Sequence, residues 1–297
     1  MTTLQQDQVL TAPHPPSRET NFTWLRRLLM GLAILAVLLI SLAPVLWQLL
    51  TSFKVNEDIS QVPTVYFPTR LTLQHYTELF TRRPFFRYIL NSAFVSIVST
   101  TVCLAIGTPA AYALARLRPV GEKIILAAVL VVTLFPGILL FLGLLEIIQA
   151  LHLGNNYLAL IIPYTAINLP LTILVLRSFF QQLPKDLEDS AKVDGYNTWQ
   201  MLTKILLPMT VPALVTTGIL TFIFAWNEFI FALTFITREN MKTIPVAAAQ
   251  LGGASVFEIP YGPIAAATVL GTLPLVLLVL FFQRKIVQGL TAGAVKG

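Results

Sequence analysis

The sequence predicts an all-α integral membrane protein with six transmembrane helices. Three observations carry that prediction. Of 297 residues, 56% are hydrophobic, and mean hydropathy is +0.75. Charged residues make up 11%, about half of what coats a soluble domain. Six long apolar stretches recur along the chain, and a helix crossing about 30 Å of hydrocarbon needs about 20 such residues. Five stretches are uncharged: Leu28–Leu50, Tyr88–Ala115, Ile124–Leu145, Tyr157–Leu176 and Tyr261–Gln283. The sixth, Met209–Ile236, is interrupted only by Glu228. Buried helices of a soluble core rarely run this long without charge, and they would need a polar shell that this chain lacks.

Composition also closes off other classes. The single cysteine, Cys103, excludes a disulfide framework and a cysteine-based zinc site. The net charge of +6 is too thinly spread for a nucleic-acid partner. In a membrane protein, Lys and Arg mainly report orientation.

Residues 1–27 form an N-terminal tail, and Pro13, Pro15 and Pro16 mark it as disordered. The span 28–50 is not a cleavable signal. Its apolar run is too long, and Pro44, Trp47 and Gln48 do not resemble a small-residue cleavage site. Within 51–87, Leu73, Tyr76, Leu79 and Phe80 fall near helical spacing, with Thr72 placed to cap. That suggests a short helix on the outer membrane surface, although an ordinary loop fits the pattern equally well.

The core runs from 88 to 283. Asn91, Ser92, Ser96, Ser99, Thr100 and Thr101 give the second span polar texture. Helix packing explains small hydroxyl residues as well as a solute path does. Pro109, Pro136, Pro163, Pro170 and Pro274 predict kinked or broken helices. Glu228, preceded by Asn227, is the one acid well inside a span. It should face the bundle interior or a water-filled cavity. With no second buried charge to form a relay, structure or pathway lining fits better than proton coupling.

The loop 182–207 reads as a helix–turn–helix. Pro184 opens it, and Asp186, Glu188 and Asp189 favour the positive end of the first helix. Leu187 and Ala191 share a face, and Gly195 sits where a glycine would end the helix. Thr198 then caps a second helix, Trp199–Leu206, which stops at Pro208. Two sets of helix stop signals and a small-residue face suit a docking element better than a plain connector. The tail 284–297 follows the last span and has little charge beyond Arg284 and Lys285.

Loop charge sets the orientation. With both termini inside, the inner segments hold twelve Lys/Arg: Arg18, Arg26, Arg27, Arg116, Arg118, Lys123, Lys185, Lys192, Lys204, Arg284, Lys285 and Lys296. The outer segments hold seven: Lys54, Arg70, Arg82, Arg83, Arg87, Arg238 and Lys242. The excess favours cytoplasmic termini, while the cluster Arg82, Arg83 and Arg87 argues the other way.

Catalytic constellations are missing. There is no Gly-Lys-Ser/Thr phosphate loop, and Gly252-Gly253 lacks the lysine. There is no His-Glu-x-x-His motif. His14, His75 and His152 all fall in the tail or loops. No catalytic residue and no metal site is assigned.

At Asp189-Ser190-Ala191-Lys-Val-Asp194-Gly195, followed by Lys204-Ile205-Leu-Leu-Pro208, the chain resembles the "EAA" loop of ABC importer permeases. Asp189 and Ser190 stand in for the Glu and the first Ala of that pattern. Leu71–Tyr76, Asn91-Ser92, Ala110–Arg116, Trp226–Phe229 and the tail Gln288–Gly297 resemble the sugar importers of the maltose-transporter type. The resemblance covers roughly residues 25–297.

The resemblance implies a type I ABC importer permease fold with a cytoplasmic coupling helix, in a bacterial inner membrane, embedded in lipid. It implies a second homologous permease, two ABC ATPase subunits and a periplasmic or lipid-anchored sugar-binding protein. ATP and Mg would sit on the partner ATPase, with no cofactor bound by this chain. Asp186, Glu188, Asp189, Ser190, Ala191, Asp194, Gly195 and Tyr196 would form the ATPase-coupling element. Gln288, Gly289, Leu290, Thr291 and Gly293 would contact the ATPases. Gly252, Gly253, Ala254 and Ser255 would lie in a loop reaching the binding protein. Asn91, Asn227 and Glu228 are candidates to line the pathway.

Three alternatives stay open. A permease of the same machinery could carry a polyol, compatible solute or glycerol phosphate. An ion-coupled secondary transporter should show internal repeats and more intramembrane carboxylates. An intramembrane enzyme would need the catalytic sets that are missing.

Overall fold

A computed structural model describes the backbone of residues 20–252 and 259–294. It describes the side chains of 24–252, except 138, and of 259–286. Of the expected disordered tail 1–27, residues 1–19 lie outside that description, as do Gly253, Ala254 and Ser255 and the side chains of Gln288, Leu290 and Thr291; residues 20–27, expected to be disordered, already belong to a helix. The chain divides into two compact units, Met1–Trp47 and Gln48–Gly297.

The first unit contains most of α1 (Thr20–Ser52), a helix that continues through Pro44. Apolar side chains such as Leu28, Leu35 and Ile40 are exposed along it.

The second unit begins with the last turn of α1 and two short helices, α2 (Asn56–Ser60) and α3 (Gln74–Arg82). Thr72 Oγ1 accepts from the Gln74 N–H at 3.1 Å, but it stands one residue before the cap position of α3, which is Leu73, whose side chain makes no capping bond. Next come α4 (Phe85–Tyr112), α5 (Glu122–Leu134), α6 (Gly137–Ala150) and α7 (Leu158–Gln182). The connector carries α8 (Asp186–Val193), α9 (Thr198–Met201) and α10 (Leu207–Met209). Then follow α11 (Val211–Asn227), α12 (Ile230–Phe235), α13 (Ile244–Ala249) and α14 (Tyr261–Ala294).

Among the described residues, four helices are long and apolar enough to cross a membrane: Trp24–Ser52, Phe85–Leu117, Leu158–Gln182 and Tyr261–Ile286. Two bent pairs bring the number to six if each pair counts as one span. The expected third span, Ile124–Leu145, is not one straight helix. It breaks at Pro136, and α5 meets the following helix at 98°. Proline offers no N–H to a continuing ladder and pushes its predecessor out of the helical region; Phe135 is accordingly extended. Helices continue through Pro109, Pro163, Pro170 and Pro274. The expected fifth span, Met209–Ile236, also departs from a single helix. α11 ends at Asn227, Glu228 is extended, and α12 starts afresh at Ile230.

α4 and α7 form the centre of the second unit. Their small and hydroxyl residues, Ser92, Ser96, Ser99, Thr165 and Thr172, are buried between helices, where they permit close approach. Three apolar clusters run along the bundle. Val95, Leu160, Tyr164, Phe231 and Phe235 join α4, α7 and α12. Tyr112, Leu176, Phe180, Ala191, Met201 and Leu206 join the ends of α4 and α7 to the connector. Phe85, Tyr88, Trp226, Ile244 and Ala266 join α4, α11, α13 and α14.

Candidate functional site

The connector between α7 and α11 has the helix–turn–helix form that its stop signals predict. Asp186, Glu188 and Asp189 lie in the first turn of α8, where carboxylates oppose the positive end of the helix dipole. Gly195 closes the helix with φ +77°, a left-handed conformation that costs glycine little. The second helix is capped differently from expectation. Asn197, not Thr198, is the cap: Asn197 Oδ1 accepts from the Gln200 N–H at 2.8 Å, and Gln200 Oε1 accepts from the Asn197 N–H at 3.0 Å. This reciprocal box satisfies two otherwise orphaned donors. The helix does not stop at Pro208. It passes through a π-helical turn, Leu202–Leu206, and ends at Met209. Proline at the start of the new helical segment loses no bond it would otherwise make.

The two faces of α8 differ. Ala191 is 1% exposed and packs in this chain's own core with Tyr112, Phe180 and Met201. Glu188 also points inward, with Oε1 3.0 Å from Arg116 Nε. Asp186, Asp189, Ser190, Asp194 and Gly195 are exposed, and Tyr196 is half-buried. Lys204 lies over the Tyr196 ring, 5.6 Å from its centroid. Two apolar side chains join the exposed edge, Val193 at 88% and Trp199 at 64%. The short helix is thus held from behind by buried groups and presents carboxylates and apolar side chains in front.

Glu228 has a role that its position in an apolar run conceals. Its carboxylate accepts the Phe231 N–H at 2.8 Å and the Ala232 N–H at 3.1 Å, and also the Tyr164 hydroxyl. It thereby serves the first turn of α12 and ties it to α7. Asn91 is equally committed. Its Nδ2 donates to the carbonyls of Asn240 at 3.0 Å and Lys242 at 2.9 Å, and its Oδ1 accepts from the Tyr157 hydroxyl at 2.8 Å. Asn227 is exposed, and its side chain donates back to the Ile223 carbonyl at 2.9 Å.

Beyond Asn91, Glu239 gathers the Tyr88 hydroxyl and the Lys242 ammonium, with Arg83 3.8 Å away. Lys242 and then Tyr88 hold its carboxyl below the usual carboxylate range. Asn155 fixes a neighbouring turn by accepting the N–H groups of Thr237 and Arg238, each at 2.8 Å. On the opposite count, burial lowers the Lys54 ammonium, with Asp58 acting against that shift. Sequence reading missed Arg116, Tyr164, Asn155 and Glu239 as partners. Arg116 was visible as an orientation charge and as the end of the Ala110–Arg116 stretch, with no partner assigned, and the other three carry no motif.

Gly252 is exposed at the start of the loop expected to reach a partner. At the other end, α14 remains helical as far as Ala294, well beyond the expected end of the last span at Gln283.

Residues 103–292, which include the whole connector, match the family of binding-protein-dependent transport system inner membrane components. The chain belongs to this family. It is therefore a permease, a non-catalytic membrane subunit of an ABC transport system. It is 39% identical over 280 residues to the trehalose transport system permease protein SugB of Mycobacterium tuberculosis, covering 94% of this chain and 98% of that one. The sulfoquinovosyl glycerol transport system permease protein SmoH of Agrobacterium fabrum is 39% identical over 263 residues, with 88% and 92% covered. The trehalose/maltose transport system permease protein MalG of Thermococcus litoralis is 39% identical over 275 residues, with 92% and 98% covered. The permease also shares its fold with a chain of a bacterial ABC transporter involved in import of the acidic polysaccharide alginate. That match has a TM-score of 0.75 at 21% identity, covering 92% and 99% of the two chains.

Proposed function

We propose that this permease is one of two homologous membrane subunits of an ATP-driven sugar importer. The observation that supports a sugar is the 39% identity, over nearly whole chains, to permeases named for trehalose, trehalose/maltose and a sulfoquinovosyl glycerol. A periplasmic or lipid-anchored binding protein delivers the solute. Two ABC ATPases bind ATP and Mg, and closing of their dimer supplies the work. The permease binds no cofactor and contributes a packing arrangement with two stable forms. It crosses the membrane six times, with α5 and α6 together as the third span and α11 with α12 as the fifth, and both termini lie in the cytoplasm.

In this reading α8 is the coupling helix. Its exposed Asp186, Asp189, Ser190, Asp194 and Gly195, with Val193 and Trp199, meet the ATPase, while Ala191, Glu188 and Tyr196 hold the helix on the permease. The tail around Gln288, Gly289, Leu290, Thr291 and Gly293 makes a second ATPase contact. The loop containing Gly252, Gly253, Ala254 and Ser255 faces the binding protein. Asn227 is the better candidate to line the pathway, since Asn91 and Glu228 spend their polar atoms within the chain.

The test is purification of the complex through an N-terminal tag, followed by reconstitution in proteoliposomes. A second permease and an ABC ATPase should copurify. ATP hydrolysis should rise when binding protein loaded with trehalose, maltose or a related glycoside is added, and the sugar should accumulate inside. Copurification without an ATPase, or hydrolysis indifferent to every sugar-loaded binding protein, overturns the reading.

A further inference from the structure

We propose that Arg116 is the positioning residue that carries movement of α8 into α4. The inference rests on reading α8 as the coupling helix. α8 is joined by the chain to α7 and, through the connector, to α11. It has no such link to α4, whose residues are some seventy positions earlier in the sequence. What joins them is side-chain contact, and most of that contact is apolar: Ala191 lies in one cluster with Ala111, Tyr112, Leu114 and Ala115. Apolar burial is non-directional, whereas a charge pair favours one relative position.

Arg116 supplies the register. It sits in a π-helical turn, Ala113–Leu117, that ends α4, and the chain turns away at Arg118 with φ 45°. From there the guanidinium reaches two parts of the connector at once. Nε approaches Glu188 Oε1 at 3.0 Å in the first turn of α8, and an Nη2–H donates to the Leu183 carbonyl in the link between α7 and α8. The Nε contact is ionic and not aligned as a hydrogen bond. Both side chains are nearly out of solvent, Arg116 at 7% and Glu188 at 13% exposed. Two charges in such a place are held together, because separating them leaves each one buried and unpaired.

An arginine serving only to orient the chain would sit in water, as the exposed Arg118 does. π-helical turns, moreover, are frequent at functional sites, and Arg116 itself lies within one, Ala113–Leu117. A second arginine provides a comparison. Arg177 Nη2–H donates to Glu122 Oε1 at 2.9 Å, and its Nε–H donates to the Leu114 carbonyl at 3.3 Å. That pair holds the same end of α4 to α7 and α5 but does not touch α8.

The experiment compares solute transported per ATP hydrolysed in the reconstituted complex. Arg116→Ala and Glu188→Gln should lower that ratio by about tenfold, the scale of coupling between contacting residues. The exchanged pair, Arg116→Glu with Glu188→Arg, should recover at least part of the loss, which a purely structural defect would not show. Glu122→Gln should leave the ratio unchanged even if it lowers the yield of complex. If Arg116→Ala fails to assemble, Glu188→Gln and the exchanged pair still decide. A wild-type complex without solute-stimulated hydrolysis overturns the importer reading, and the transmission role with it. A working wild type, with an unchanged ratio in Arg116→Ala or Glu188→Gln, overturns the transmission role alone.

Discussion

The imidazole of His75 fills the space that a side chain on Gly262 would need. A Cβ built at Gly262 would lie 2.2 Å from His75 Cε1 and 2.3 Å from Nε2. The ring cannot swing away freely. It is 1% exposed, and its Nε2–H donates to the Lys54 carbonyl at 2.8 Å. The second residue of α14 is thus pressed against α3 and against the segment that follows α1.

Replacing Gly262 with alanine should overpack this contact. Overpacking of a filled interior costs roughly 1–3 kcal/mol, so the melting temperature of the detergent-solubilised complex should fall. In a His75→Ala background the same Gly262→Ala change should cost less than it does in the wild type, because the methyl then has room. A Gly262→Ala complex that melts with the wild type would contradict the geometry.

Asn91 makes three hydrogen bonds that join α4, α7 and the turn 239–242. Asn91→Leu keeps the branched side-chain shape but strips two carbonyls and one hydroxyl of their partner. Each buried polar group left without a bond costs about 1–3 kcal/mol. Unfolding in detergent should show a loss well above that of Asn227→Leu, whose side chain is exposed. Equal losses in the two variants would show that Asn91 is not the tie described.

Glu239 gives a pH dependence with a definite sign. Its folded carboxyl titrates below the usual carboxylate range, chiefly through Lys242 and Tyr88. A carboxyl depressed on folding contributes stability that is fully present above its unfolded value. That contribution is lost as pH falls through the lower, folded value. Wild type should therefore melt above Glu239→Gln at pH 7, and the gap should narrow steadily below about pH 4.5. Half the carboxylate is in solvent, and salt should shrink the gap at every pH. A gap that is constant down to pH 3 would exclude the carboxylate as its source.

Gly195 separates a backbone effect from a docking effect. Its φ of +77° strains any other residue, yet an added Cβ would meet nothing within 4 Å. Gly195→Ala should cost only about 1–2 kcal/mol, the left-handed penalty, and assemble normally. Gly195→Trp adds a bulky group to the exposed edge of α8. Transport and solute-stimulated ATP hydrolysis should then fall together while the permease still inserts. Normal stimulation in the tryptophan variant would remove Gly195 from the docking surface.

Most of the architecture was legible because the bilayer demands long apolar runs, and those runs stand out in a chain with so little charge. α8 was legible for a different reason: Asp186 to Asp189 and Gly195 are local signals, read without knowing what packs nearby. What escaped was decided by tertiary partners. Pro136 breaks a helix whereas Pro163 and Pro170 do not, although all three interrupt similar apolar runs. The latter two lie buried in α7, which packs against α4. Glu188 looked like one acid among three in a helical turn, and only its distance to Arg116 reveals that it faces inward. The cap of the second connector helix falls one residue before the expected Thr198: Asn197 is the extended residue and caps, and asparagine is the stronger cap former of the two.

The carboxylate of Glu228 also constrains how the chain enters the bilayer during synthesis. Lone acids near the middle of an inserting segment carry a penalty of about 2.5–3.5 kcal/mol. The groups that offset it come from two places. The N–H groups of Phe231 and Ala232 arrive with the same segment, but the Tyr164 hydroxyl belongs to α7, more than sixty residues earlier. The Tyr164 share of that offset exists only once α7 stands beside α11 and α12. Until the two segments meet, the acid has only the N–H groups of its own segment to draw on.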